Sequence, residues 1–162
     1  EMTSSLVGSE MCIRDRIKIG AITFANAAKA LGVIGEAGLV QLKEESAYKL
    51  LAQTMIPAIT LKAFSIELAL KALVVKNGKN YGNLHELNKL YIEISEDDRD
   101  KIKRNVVSQM KISDANYNDI KFQEDLDAIS RTFIDWRYFY EDTRTVNSLF
   151  LNALFDYMIG FL

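Results

Sequence analysis

The stretch PAITLKAFSIELALKALVVKN, residues 57–77, most constrains what this chain can fold into. Its apolar residues recur every three to four positions in two adjoining stripes: Ile59, Ala63, Ile66 and Leu70, and Leu61, Phe64, Leu68 and Val75. Two adjoining stripes bury most of a helix, as in the middle of a bundle. We predict a central helix that begins at Pro57, because its first turn tolerates a residue without an N–H, and ends at Asn77-Gly78.

The composition of the chain excludes several classes of protein. With 162 residues, 49% hydrophobic and 26% charged, it can bury the core of one domain. A net charge of −2 gives no overall basic bias, so nucleic-acid binding would need a local patch. One cysteine, Cys12, excludes an internal disulfide, and the single histidine argues against a metal site. We therefore predict neither a metal nor a cofactor.

The first 16 residues, EMTSSLVGSEMCIRDR, differ from the rest because they show no usable periodicity. LVGSEMCIRDR resembles the translation of a sequencing adaptor, so residues 1–16 are expected to be a non-native or disordered leader. The single helical domain is expected to span 17–162. Residues 17–34 predict a helix rather than a signal peptide, because the apolar run before Asn26 is at the lower limit of length and Lys29 follows soon after. No uncharged apolar run reaches a membrane-spanning length, which predicts a soluble, cytoplasmic protein with no membrane contact.

Helical spacing continues along the rest of the chain. Three glycines at 32, 35 and 38 predict a turn, and 39–55 predicts the next helix. Ser95 begins a further helix with a capping-box pattern, and 113–118 is a polar loop. Residues 119–141 predict one long helix with an apolar seam: Phe122, Leu126, Ile129, Phe133, Trp136 and Tyr140. A helix over 145–162 closes the chain, and no segment alternates at period two. The fold class predicted is all-α, an up-and-down bundle of about five to six helices.

Few residues could carry chemistry. Glu67 and Lys71 stand in the favourable i,i+4 order and predict either a local ion pair or a carboxylate facing a polar cleft. His85 stands in the segment Asn83-Leu84-His85-Glu86-Leu87. Either Asn83 or His85 helps to start a short helix docked by Leu84, Leu87, Leu90 and Tyr91, or His85 is a general acid or base.

A late aromatic segment, Trp136-Arg137-Tyr138-Phe139-Tyr140-Glu141, offers the same choice. Arg137 either pairs with Glu141 one turn later or presents its guanidinium to a phosphate. In the second case, Tyr138 or Tyr140 would stack or hydrogen-bond with the ligand.

The order of these motifs resembles HEPN-domain proteins (higher eukaryotes and prokaryotes nucleotide-binding). The motifs are AFSxELxLKAL at 63–73, Gly78, LHxLxxL at 84–90 and FxxWRYxYE at 133–141, and the resemblance covers roughly 39–162. It implies a helical bundle, commonly a homodimer, in prokaryotic toxin–antitoxin or phage-defence systems, with a nucleotidyltransferase antitoxin as a further partner. Many members are metal-independent ribonucleases whose catalytic arginine precedes a histidine by four to six residues.

Arg137 matches that arginine, but no histidine follows it in the window 138–144. Losing a general acid or base typically lowers the rate of the reaction by about 10²–10⁴-fold. We therefore predict a non-catalytic or weakly catalytic homodimer that binds RNA, a nucleotide or a partner protein. Its seam over 119–141 is the expected dimer contact. The alternatives are an endoribonuclease toxin in which Arg137 acts with Glu67 and Tyr140 or His85, and a structural or antitoxin-like module. Lys71 and Tyr138 are the expected ligand-binding residues.

Overall fold

The apolar spacing of three and four residues produces helices along the chain. The computed structural model describes residues 3–39, 44–132 and 146–162, and these contain six helices and no strand. The helices are α1 Thr3–Leu39, α2 Glu44–Lys76, α3 Leu87–Glu93, α4 Glu96–Met110, α5 Asp119–Ile129 and α6 Ser148–Phe161. The prediction of an all-α bundle of five to six helices is confirmed for the described residues.

Helix α2 lies at the centre of this bundle. It packs along α1 and also contacts α3 and α6, while α4 contacts α5 and α6, and α5 contacts α3. The first predicted stripe of α2 is fully buried at Ala63, Ile66 and Leu70. The second stripe is half-buried at Leu61, Phe64, Leu68 and Val75. The central position predicted for this helix is therefore confirmed.

The predicted start of the central helix at Pro57 is wrong. Helix α2 runs without interruption from Glu44 to Lys76, with Pro57 inside it. Proline removes one backbone hydrogen bond of a helix, and Pro57 is exposed, so its ring faces water rather than a neighbouring helix. Packing of α2 against α1 outweighs this local defect. The predicted end is confirmed, because Gly78 has φ of 69° and Lys79 N–H donates to the Val74 carbonyl at 3.2 Å.

The predicted turn at glycines 32, 35 and 38 is also wrong, because all three lie inside α1. At Gly35 the reason is close packing: a Cβ there would come within 2.7 Å of Thr54 Oγ1 on α2. That glycine lets two helices approach rather than turning the chain. Residues 3–16 form the first part of α1, whereas their origin in an adaptor sequence stays a prediction.

The predicted helix over 119–141 does not continue past Ile129. The chain turns at Ser130, whose carbonyl accepts a hydrogen bond from Leu87 N–H at 2.9 Å and whose Oγ accepts one from Asn88 N–H at 3.2 Å. These bonds from α3 occupy the end of α5, so α5 stops there. The first half of the seam is buried in this chain's own core at Phe122, Leu126 and Ile129. That half is therefore closed to a second copy, and the rest of the seam lies outside the described residues.

Two helix starts follow from local side-chain chemistry. Ser95 caps α4 as predicted, since its Oγ accepts a hydrogen bond from Asp98 N–H at 3.2 Å. Asn147 caps α6 in the same way by accepting from Phe150 N–H at 3.2 Å. The closing helix predicted over 145–162 is thus confirmed for Ser148–Phe161.

One stretch of α1 meets the length and composition of a membrane span. It runs over Ile13–Gly35 with a mean hydropathy of 1.4, and 17% of the apolar window is buried. Charged residues interrupt it, among them Lys18 and Lys29, which is why no uncharged run of that length is found in the sequence. A cytoplasmic location and the absence of membrane contact stay predictions.

Candidate functional site

The residues of the candidate site come from α2 and from the loop that follows it. Glu67 and Lys71 lie one turn apart on α2, which places both side chains on one face of the helix. After Gly78 the chain reverses through a loop in which Asn80 Oδ1 accepts a hydrogen bond from Gly82 N–H at 2.8 Å. Gly82 has φ of 52°, a second left-handed position that favours glycine. The reversal brings His85 back onto the face of α2 that carries Glu67.

Glu67, Lys71 and His85 form one hydrogen-bonded cluster. Glu67 Oε1 lies 2.7 Å from Lys71 Nζ and 2.9 Å from His85 Nδ1. Glu67 is 1% exposed and Lys71 is 7% exposed, whereas 52% of the His85 side chain is open to solvent. The predicted i,i+4 pair is therefore present, and it is buried. The three residues combine a buried ion pair with a half-exposed imidazole.

The contact with the Glu67 carboxylate assigns the tautomer of His85. An ionised carboxylate only accepts hydrogen bonds, so His85 Nδ1 carries the proton and donates to Glu67. Lys71 Nζ, at 3.5 Å from the same nitrogen, then donates to Glu67 rather than to His85. The second ring nitrogen, Nε2, makes no hydrogen bond with the residues that the structure describes. In the neutral ring, Nε2 is a hydrogen-bond acceptor held in a fixed orientation.

The ring of Tyr81 covers the ammonium group of Lys71. Lys71 Nζ lies 5.0 Å from the centroid of the Tyr81 ring, within the range of a cation–π contact. A buried ammonium needs such partners, because an unpaired charge away from water is costly. The sequence contained no signal for Tyr81, since its contact depends on the path of the loop rather than on helical spacing.

Among the residues that the structure describes, Glu67 Oε2 is buried and accepts no hydrogen bond. The carboxylate charge is balanced by Lys71 through the other oxygen, Oε1. The net charge of the cluster is therefore zero with a neutral imidazole and +1 with an imidazolium. Protonation of His85 would make the cluster attractive to an anion.

The structure separates the two interpretations of the His85 segment. Neither Asn83 nor His85 caps α3, because the N-cap residue is Glu86 and it makes no side-chain cap bond. The predicted docking is confirmed: Leu87, Leu90 and Tyr91 are buried, and Leu84 packs against them in part. His85 is therefore free of a capping role and is held by Glu67 instead.

A polar clamp joins the His85 segment to the end of α5. Asn88 Nδ2 donates to Asp127 Oδ1 at 2.8 Å, and Ser130 Oγ donates to Asn88 Oδ1 at 2.5 Å. These bonds fix the start of α3, three residues after His85, beside Ser130. Arg137 follows Ser130 by seven residues in the sequence.

Glu67, Lys71 and His85 are the predicted site residues that the structure brings together. The other three, Arg137, Tyr138 and Tyr140, lie outside the described residues, so their place relative to the cluster stays a prediction. Within the described part of the chain, no group of three or more His, Cys, Asp or Glu residues is arranged to hold a metal ion. The donors at hand are carboxylate, ammonium and imidazole, which suit hydrogen bonding and proton transfer.

Comparisons of the chain with protein-family models, with curated protein sequences and with solved structures found no match. The HEPN resemblance therefore rests on the motifs described above. The function has to be argued from the cluster itself.

Proposed function

We propose that this chain is a HEPN-like helical protein that binds RNA or a nucleotide through Glu67, Lys71 and His85. The observation that carries the proposal is the contact between His85 Nδ1 and the buried Glu67 carboxylate, which fixes a half-exposed imidazole on the surface of the bundle. A histidine held by a buried carboxylate has one ring nitrogen oriented and the other left for a ligand.

The chemistry of that second nitrogen fits a ribonucleotide. Neutral Nε2 of His85 accepts a hydrogen bond, for which the 2′-hydroxyl of ribose is a suitable donor. The imidazolium form donates to a phosphate oxygen instead, in a charge-assisted bond. Under the resemblance, Arg137 would add a bidentate phosphate contact and Tyr138 a stacking surface.

Binding without strong catalysis follows from the late helix motif. The family pattern needs a histidine four to six residues after its arginine, and residues 138–144 contain none. A ligand could therefore be held by the cluster while the usual proton-transfer group is missing. The homodimer implied by the resemblance would place two such clusters in one assembly.

One observation supports a second function, a metal-independent endoribonuclease. The Glu67–His85 pair has the arrangement of a general base, a histidine whose proton-bearing nitrogen is held by a carboxylate. In this alternative, Nε2 of His85 takes the proton of the 2′-hydroxyl. Arg137 stabilises charge on the phosphate, and Tyr140 supplies a further proton or hydrogen bond.

Binding is tested by fluorescence anisotropy of a labelled single-stranded RNA with the full chain and two substitutions. His85→Asn keeps an N–H near the position of Nδ1 and removes Nε2. Lys111→Ala, at an exposed position outside the cluster, is the matched control. We expect His85→Asn to weaken binding about tenfold, since one hydrogen bond to a charged group contributes about 1.5 kcal/mol. Equal affinities for native, His85→Asn and Lys111→Ala proteins would reject the assignment of the site.

Cleavage is tested separately, with the same RNA in the presence of a metal chelator across neutral pH. If the second function holds, His85→Asn lowers the cleavage rate by about 10²–10⁴-fold. An RNA that stays intact with the native protein rejects the ribonuclease alternative and leaves the binding proposal standing. The two experiments therefore fail independently.

A further inference from the structure

A cleft with apolar walls lies between α1, α2 and α6. It has a volume of about 230 Å³, and five residues provide its apolar surface: Leu31 of α1, Met55, Ala58 and Ile59 of α2, and Leu151 of α6. Ala58 and Leu151 are buried, whereas Met55 is 47% exposed, so the cleft is open to solvent beside Met55. An apolar cavity of about 150 Å³ is large enough to bind benzene. This cleft therefore has room for an aromatic ring or a short alkyl chain.

Two hydrogen-bond donors stand side by side on the wall of this cleft. Lys62 Nζ donates to Asn152 Oδ1 at 2.7 Å, and both residues line the cleft. Because Oδ1 accepts that bond, the amide is oriented with its Nδ2 group away from Lys62. Nδ2 makes no hydrogen bond with any residue that the structure describes, and the ammonium has three N–H donors, of which the bond to Asn152 uses one. An ammonium next to an amide N–H matches the two oxygen atoms of a carboxylate.

The surroundings of these donors are positively charged. Lys62 is the one charged residue among the described residues that line the cleft. Lys29 on α1 adds a second ammonium, since the Nζ atoms of Lys29 and Lys62 lie 5.7 Å and 5.6 Å from the centroid of the same ring, that of Phe155. Within residues 3–39, 44–132 and 146–162, neither lysine forms an ion pair. Two ammonium groups beside one ring repel each other, and an anion bound next to them would reduce that repulsion.

We propose that this cleft binds a small organic acid with an apolar body, of the class of arylalkanoic and short-chain fatty acids. The carboxylate accepts hydrogen bonds from Lys62 Nζ and Asn152 Nδ2, and the apolar body fills the space between Ile59 and Leu151. The single charge on the lining residues matches the single charge of a carboxylate. The site is separate from the cluster of Glu67, Lys71 and His85 and does not depend on what that cluster binds.

The first test is a calorimetric titration of the full chain with 3-phenylpropionate and, separately, with 3-phenylpropanol, which has the same apolar body and no charge. The cleft is smaller than the roughly 300–1,000 Å³ of a typical ligand pocket, so we expect a dissociation constant of about a millimolar or somewhat tighter for the acid. The alcohol should bind about tenfold more weakly, because it lacks the charge-assisted hydrogen bonds. A protein that binds neither compound, or binds both equally, overturns the proposal.

The second test removes the ammonium. Lys62→Met keeps the length of an apolar side chain, and Lys111→Met makes the same change at an exposed position next to the end of α4, outside the cleft. We expect Lys62→Met to weaken binding of 3-phenylpropionate about tenfold and Lys111→Met to leave it unchanged. Equal affinities of the native and Lys62→Met proteins would refute the role of Lys62 and with it the proposal.

The third test fills the cleft. Gly32 lines it, and no atom lies within 4 Å of the position that a Cβ would take there, so Gly32→Leu adds a side chain without a clash. Gly160→Leu is the matched control, because Gly160 lies in α6 outside the cleft and has equally open surroundings. With helix content checked by circular dichroism, we expect Gly32→Leu to lose binding and Gly160→Leu to keep it. A folded Gly32→Leu protein with native affinity would place the acid elsewhere and overturn the proposal.

Discussion

Replacing Glu67 by glutamine tests whether the Glu67–Lys71 pair is buried as the structure shows. The substitution keeps the shape of the side chain but removes the carboxylate, so the ammonium of Lys71 loses its counter-charge. Both side chains are at least nine-tenths buried. Breaking a buried ion pair by removing one partner typically costs about 3–5 kcal/mol. Because glutamine can still accept a hydrogen bond from Lys71, we expect a loss of about 3 kcal/mol in the free energy of unfolding.

The assay is urea unfolding at pH 7, followed by far-ultraviolet circular dichroism. A loss of about 3 kcal/mol is a large share of the 5–15 kcal/mol that stabilises a typical domain, and it lowers Tm by about 6–12 °C in a chain of this size. The matched control is Asp97→Asn, because Asp97 and Lys101 form the same i,i+4 acid–lysine pair with both side chains exposed. We expect the control to lose less than about 1 kcal/mol, since exposed pairs are screened by water and Asp97 adds only an interaction with the N-terminus of α4.

A double substitution, Glu67→Gln with Lys71→Met, completes the cycle. Without the ammonium there is no buried charge left to compensate, so the double variant should be more stable than Glu67→Gln alone. The reasoning is refuted if Glu67→Gln destabilises the protein no more than Asp97→Asn does. It is also refuted if removing Lys71 from the Glu67→Gln protein lowers stability further.

Four further substitutions test the helices around the site. Burial raises the pKa of the Tyr91 phenol, whose hydroxyl donates to the Arg99 carbonyl, so its stabilisation is present below pH ~10 and lost as the pH rises above it. Tyr91→Phe should flatten the alkaline loss of stability, read by urea unfolding at pH 7 and about 10.5. Pro57→Ala should raise the free energy of unfolding by about 1–3 kcal/mol, whereas a proline at a helix start would give no gain. Gly78→Ala should lower Tm through a loss of about 1 kcal/mol, while Gly32→Ala, inside α1 with open space around it, should raise it.

Local chemistry explains which parts of the fold could be predicted from sequence. The buried stripe of α2, the glycine that ends this helix and the serine that begins α4 each depend on residues within a few positions. The predictions of the buried stripe, of the left-handed glycine at 78 and of the cap at Ser95 are therefore confirmed. The pairing of Glu67 with Lys71 is of the same local kind, because both lie on one turn of one helix.

Long-range contacts explain the predictions that were wrong. Proline and glycine end a helix only where packing against a neighbouring helix does not outweigh their local cost. Here α1 packs against α2, so α1 continues through Gly35 and α2 continues through Pro57. The end of α5 at Ile129 depends on a bond between Ser130 and Leu87, 43 residues apart. The contact between His85 and Glu67 is likewise set by the loop path, which no spacing rule contains.

The stability of the bundle does not by itself account for the cluster. A buried ion pair is weak evidence for stability, because apolar residues of similar volume often serve a core equally well or better. The fold could therefore place two apolar side chains at 67 and 71 without a desolvation cost. It would then lose the carboxylate that holds Nδ1 of His85 and orients Nε2 at the surface. The charges on α2 are thus better explained by what they do to His85 than by what they add to the core, and the His85→Asn binding experiment measures that contribution directly.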